Sequence, residues 1–404
     1  MMTDRHHIYL VPGFFGFANL GELKYFGHVR EFLVQRSAAA GLDARVHAVK
    51  THPTASLPTR AARLLDTIAA TTGASRGVIH LIGHSSGGLD CRLVMAPDVR
   101  LPTVADYRRY TERVRTVVTV STPHHGTPVA SFFTGLLGQR LLRVLSLSTI
   151  YVLRFGRLPI AVLLELGGLL TRLDNLGVNS ALLDELFGKL LDDFSVGRRR
   201  AVQRLFHEVA EDQGLLVQLT PEAMDLFNAL THDRAGVRYG SVITRAQPPG
   251  VRSTLAAGFD PSAQATHAIY RTLYRLAAQV PRAQRAPLTA DQARKLRHAY
   301  GALPTVKAND GLVPTRSQAW GDIIHAATAD HLDVIGHFGD PSSAPPHFDW
   351  LATGSAFSRM KFEALWTDVL RFIAVGASQN PTRTLPSHGN SFASRAQTTH
   401  PHRR

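Results

Sequence analysis

The run VIHLI, Val78–Ile82, passes without a break into GHSSGGLDCRLVM, Gly83–Met95, and constrains the fold more than any other stretch. A short apolar, β-branched run reads as a buried strand, and LDCRLVM suits a helix, so the chain must turn sharply within Gly-x-Ser-x-Gly. At such a strand–turn–helix elbow the nucleophile sits in a strained backbone conformation. The flanking glycines let strand and helix approach without a Cβ clash. Ser85 is therefore the candidate nucleophile.

The rest of the chain supplies a sheet around that elbow. HIYLV, ARVHAV, VIHLI and VRTVVTV (Val114–Val120) alternate with the helical patterns HVREFLVQRSAAAG and RAARLLDTIAA. This rhythm predicts an α/β fold, a mostly parallel sheet with helices on both faces. Residues 130–236 break it with leucine-rich helical segments, read as a helical lid inserted between core segments 1–129 and 237–375. A membrane span needs about 20 apolar residues, whereas Arg140, Arg143, Arg154, Arg157 and Glu165 interrupt this run. Two uses stay open for the insertion: a buried cap, or an amphipathic surface docked peripherally on an anionic membrane. VRYGSVIT and DIIHAAT continue the sheet, and residues 376–404, almost without large apolar side chains, read as a disordered basic tail.

The 404 residues, 44% hydrophobic, are enough for a large core, and the net charge is +14. The arginines are scattered, GRRR at Gly197–Arg200 being a rare cluster, and no nucleic-acid module accompanies them, which argues against nucleic acid as a partner. The single cysteine, Cys91, excludes an intramolecular disulfide. No apolar run of signal-peptide type precedes HIYLV, so the expected location is cytoplasmic or peripheral to a membrane.

A serine hydroxyl needs an imidazole to take its proton and a carboxylate to orient that imidazole. Asp310, in the turn ANDGLVP, and His331, in TADHLD, follow the serine in the order such elbows use. Asp260 and Asp322 are rival acids, and His325, His337 and His347 are rival bases. The oxyanion needs two backbone N–H donors, expected from Ser86, which follows the nucleophile, and from Phe14 in VPGFFGF. Phe14, Phe15 and Phe17 would also wall an apolar pocket, which suits a lipid or other ester substrate.

Taken together, PGFFGF, GHSSGG, STPHHGTP, ANDGLV and HLD resemble, in order, the oxyanion loop, elbow and site segments of the bacterial triacylglycerol lipases of the α/β-hydrolase superfamily. The resemblance implies an α/β-hydrolase fold, ester hydrolysis through an acyl-enzyme, the triad Ser85, Asp310 and His331, and an oxyanion hole from Phe14 and Ser86. Acyl transfer on the same triad and a non-catalytic lipid-binding module are the alternatives. The chemistry requires no cofactor. A structural calcium on Asp260 and Asp333 is carried over from secreted members of the group. Pro12 stands where the group has a histidine, and the disulfide of many relatives is impossible here.

Overall fold

The computed structural model describes residues 5–14, 25–72, 77–155, 158–171, 180–258, 260–281, 286–340, 342, 347, 349 and 351–378. Phe15 and Phe17, and the tail beyond 378, lie outside these residues. Six strands, His6–Val11 (β1), Ala44–Ala48 (β2), Val78–His84 (β3), Val114–Val120 (β4), Arg238–Arg245 (β5) and Asp322–Thr328 (β6), form one sheet in the order β2-β1-β3-β4-β5-β6. Every adjacent pair is parallel. Because parallel strands end at one edge, the turns after β1, β3, β4, β5 and β6 gather there, and that edge is where such sheets build sites.

The alternation of side chains decides what covers each face. Tyr9 projects to the face where its hydroxyl bonds Thr71, in the helix Leu57–Thr72 (α2 after α1, Gly27–Ala39). His6, His80 and Thr116 project to the other face, where Gly376 of the helix Arg359–Ser378 lies against the Thr116 methyl. Both faces are thus covered, which is why Ile8, Leu10, Leu81, Ile82, Val117 and Val118 are all fully buried.

Between β4 and β5 run helices Pro128–Phe133, Leu136–Phe155, Ile160–Thr171, Ser180–Asp192, Val196–Glu211, Gly214–Gln218 and Pro221–Leu230, with no strand among the described residues. Leu141, Leu145, Leu163 and Leu186 bury their side chains among them. Three of the charges that interrupt the apolar run, Arg140, Arg143 and Glu165, find partners on neighbouring helices. Arg140 meets Asp184 at 2.9 Å, Arg143 stacks over Phe187, and Glu165 pairs with Lys189. Among the described residues no helix is long and apolar enough to cross a membrane.

Candidate active site

β3 delivers its chain end into the helix Ser86–Met95 (α3) through Ser85 alone. Ser85 has φ +55° and ψ −133°, a conformation costing a non-glycine residue about 1–3 kcal/mol. Its N–H donates to the Val120 carbonyl at 2.8 Å, fixing the elbow to β4. A Cβ on Gly87 would fall 2.2 Å from the Val11 carbonyl oxygen, and one on Gly13 would fall 2.5 Å from the Ser85 Cβ. Glycine at these two positions lets α3 and the loop after β1 close against the serine.

Asp310 and His331 come from separate loops and meet. His331 Nδ1 lies 2.8 Å from Asp310 Oδ2, and the His331 N–H donates to the Asp310 carbonyl at 3.1 Å. With Nδ1–H directed at the carboxylate, Nε2 is left as the acceptor face of the ring. Ser85 and His331 line one apolar cavity with Phe14, Thr127, Val129 and Phe133. Phe14 follows Gly13, and Ser86 opens α3, whose first N–H groups have no partner within the helix.

The rival bases His325 and His347 are engaged elsewhere. Asp322 is exposed at the start of β6, and His325 pairs with Asp368 at 2.9 Å. His347 donates from Nδ1 to the Gly336 carbonyl and stacks on Phe338, while His337 is buried nearby.

Two buried networks hold the site's loops. Tyr25 Oη accepts from the Gly13 N–H at 3.3 Å and donates to His84 Nδ1 at 2.5 Å, and His84 Nε2–H donates to the His331 carbonyl at 2.8 Å. Burial, with His331 beside it, lowers the His84 pKa well below the usual value, so the ring stays neutral. Arg60 donates to the Pro12 carbonyl at 2.7 Å and to the His52 carbonyl at 2.6 Å, and pairs with Asp90 of α3 at 2.7 Å. Burial pushes the Asp90 carboxyl up to about 6 against the pull of Arg60.

No family model matches the chain, and no curated protein matches its sequence. Among solved structures it is similar to lipase 1 from Pelosinus fermentans, with 16% identity over 91% of this chain and 99% of that one and a TM-score of 0.51. The chain has the α/β-hydrolase fold. A metagenomic carboxyl esterase (18% identity, 93% of this chain and 77% of that one, TM-score 0.48) and the Staphylococcus hyicus lipase (14%, 93% and 96%, TM-score 0.49) are also similar.

Within this fold the acid groups beside the histidine loop differ from the expected calcium pair. Asp260 is not part of them; its carboxylate caps the helix Pro261–Ala277 by accepting from the Ala263 N–H at 2.9 Å. Asp333 instead joins Asp330 and Asp349, with one carboxylate oxygen of each within 4.8 Å of the others. Asp330 is buried and its Oδ2 has no hydrogen-bond partner. Burial, then Asp333 and Asp349, raise its pKa well above the usual value, and burial pushes Asp333 up to about 6. An all-oxygen set with an unmatched buried oxygen fits a hard cation such as Ca²⁺. Asp-Pro at 260–261 is a helix-start signal, and nothing local in the sequence links Asp330 to Asp349. Arg60, Tyr25 and Asp330 are the site's further supports that the sequence reading passed over.

Proposed function

We propose that this chain is a serine hydrolase that cleaves carboxylic esters of lipid-like substrates through an acyl-enzyme. The observation that carries the reading is the strained Ser85 lining one apolar cavity with a His331 already bonded to Asp310. Similarity to a lipase of the same fold supports it.

In this mechanism His331 Nε2 takes the Ser85 proton as Oγ attacks the ester carbonyl, and Asp310 stabilises the imidazolium that forms. The N–H groups of Phe14 and Ser86 receive the oxyanion. His331 returns the proton to the leaving alcohol, then activates the water that releases the acid. The acyl chain lies among Val129, Phe133, Leu142 and Leu216, side chains of the helices between β4 and β5, which act as the lid. Ile160 and Leu164, exposed one turn apart on one of these helices, are the points at which the lid would touch a membrane surface. Asp330, Asp333 and Asp349 would hold a calcium ion, whose charge would fix the loop carrying His331.

The test is hydrolysis of p-nitrophenyl esters, from acetate to palmitate, by wild type and Ser85→Ala. Activity lost in the variant is the expected result. If both are equally inert on every ester, the reading falls to a lipid-binding module. If added alcohol diverts the product from acid to a new ester, acyl transfer replaces hydrolysis.

A further inference from the structure

Resting on the triad reading above, we propose that Gln318 and Thr244 form a clamp that positions the Asp310 carboxylate for His331. Five donors converge on this carboxylate. Oδ1 accepts the N–H groups of Leu312 (3.0 Å) and Val313 (2.7 Å), which belong to Asp310's own turn. Oδ2 accepts from His331 Nδ1, from Thr244 Oγ1 at 2.8 Å and from Gln318 Nε2 at 3.1 Å. The last two come from outside the turn, so they decide where Oδ2 stands as the histidine loop closes on it.

The orientation of the Gln318 amide is set by its neighbours. Oε1 accepts the Thr244 backbone N–H at 2.7 Å, while Nε2 faces the carbonyls of Thr244 and Val313, each at 3.2 Å, besides Asp310. A flipped amide would put its oxygen against three acceptors and its NH₂ against a donor. Gln318 and Thr244 are fully buried, so water cannot replace either bond.

Thr244 is held in turn. Its one proton faces two acceptors, Asp310 Oδ2 at 2.8 Å and Gln318 Oε1 at 3.0 Å, so toward Ser121 Oγ, 2.9 Å away, its oxygen can only accept. Ser121 has φ +50°, a left-handed conformation unfavourable to serine, at the point where β4 ends. The strain sits where it aims a hydroxyl at Thr244. The donor series Ser121, Thr244, Asp310 thus runs from the end of β4 through β5 to the acid, and Gln318 braces it from the following loop. Gln318 and Thr244 act through Asp310 and are positioning residues.

Gln318→Glu and Gln318→Leu separate this role from simple packing. At the Nε2 position a glutamate must carry a proton to face three acceptors. It therefore works as a donor while protonated and repels Asp310 once ionised. With p-nitrophenyl butyrate, Gln318→Leu should lose about tenfold in kcat across the pH range with KM within twofold, the scale of one hydrogen bond to a charged group. Gln318→Glu should stay near wild type at the acid end of the range and decline as pH rises, a limb that neither wild type nor Gln318→Leu has. Thr244→Val should lose kcat and Thr244→Ser recover most of it. Profiles that superimpose on wild type, or a rise in KM at unchanged kcat, overturn the clamp.

If Gln318→Leu does not fold by far-UV circular dichroism, the Thr244 pair decides on the same criteria. If wild type hydrolyses no ester, the triad reading fails by itself. The clamp is then decided by the low-field NMR resonance of the His331 Nδ1 proton, assigned by its loss in His331→Gln. A shift in that resonance in Thr244→Val or Gln318→Leu supports the clamp, and an unmoved one overturns it.

Discussion

Asp310 and Asp330 are equally buried, each 1% exposed, and lie on loops that meet at His331, yet their surroundings are opposite. Asp310 is surrounded by donors on both oxygens. Asp330 has backbone donors on Oδ1 only, from Leu332 and Asp333, while Oδ2 has none and two further carboxylates stand close by. Burial costs a carboxylate its hydration in both cases; the difference lies in what replaces the water. A carboxylate met by donors suits the orienting of an imidazole. One left short beside other carboxylates suits a cation.

The contrast predicts the largest effect at Asp310. With the triad reading, Asp310→Asn should lower kcat roughly 10⁴-fold, because an amide can present its NH₂ to His331 and favour the wrong tautomer. Steady-state ester hydrolysis checks it. A loss below tenfold would remove the distinction between the two aspartates in function, whatever their surroundings.

Asp90 is the intermediate case, a buried carboxylate satisfied by a cation within the chain. Arg60→Met leaves it unpaired and should cost about 3–5 kcal/mol, read from urea unfolding. The pair replaced together, Arg60→Met with Asp90→Leu, should recover much of that stability. Activity should not recover with it, since the Pro12 and His52 carbonyls lose their donor in both variants. Equal recovery of both would mean that Arg60 serves the α2–α3 contact alone.

The third effect is smaller and tests the other side of the contrast. Calcium at a hundred times its Kd should stabilise wild type by about 2.7 kcal/mol, and EDTA should reverse this. In Asp330→Asn the calcium effect should vanish, while the metal-free protein gains about 1 kcal/mol through relief of repulsion and of an unmatched oxygen. Thermal unfolding with and without calcium measures both. An Asp330→Asn protein that still responds to calcium would sink the three-carboxylate site.

How far these surroundings can be read from sequence depends on the distance over which they form. The strands and the elbow are local: VIHLI runs straight into Gly-x-Ser-x-Gly, and DIIHAAT spans β6 from Asp322 to Thr328. Asp310 and His331 also carry local marks, an Asn-Asp-Gly turn and a loop after a strand. The clamp and the acidic cluster carry none. Gln318 reaches Thr244 across 74 positions because β5 and the loop after Asp310 share one sheet edge, and Asp349 reaches Asp330 only when the chain folds back. Asp260, by contrast, announced its real occupation as a helix cap.

The same contrast extends to bases, where burial penalises the charged form in the opposite pH direction. His80, at the other end of β3 from the elbow, is fully buried, with Nδ1 2.8 Å from Thr116 Oγ1 and Nε2 3.1 Å from His6 Nδ1. Burial, with His6 and Arg115, lowers its pKa to about 3. The folded value lies below the unfolded 6.5, so the unfolded chain takes up a proton first. The stability His80 contributes is full above pH 6.5 and is lost progressively as pH falls toward 3. One unit below 6.5 the loss is about 1.4 kcal/mol. His80→Gln keeps a partner for Thr116 and cannot titrate. The stability gap between wild type and this variant, from urea midpoints, should therefore narrow by about 1.4 kcal/mol between pH 7.5 and 5.5. A gap that does not change would mean that His80 charges in the folded protein, and that a buried group here can gain charge without an opposite charge beside it.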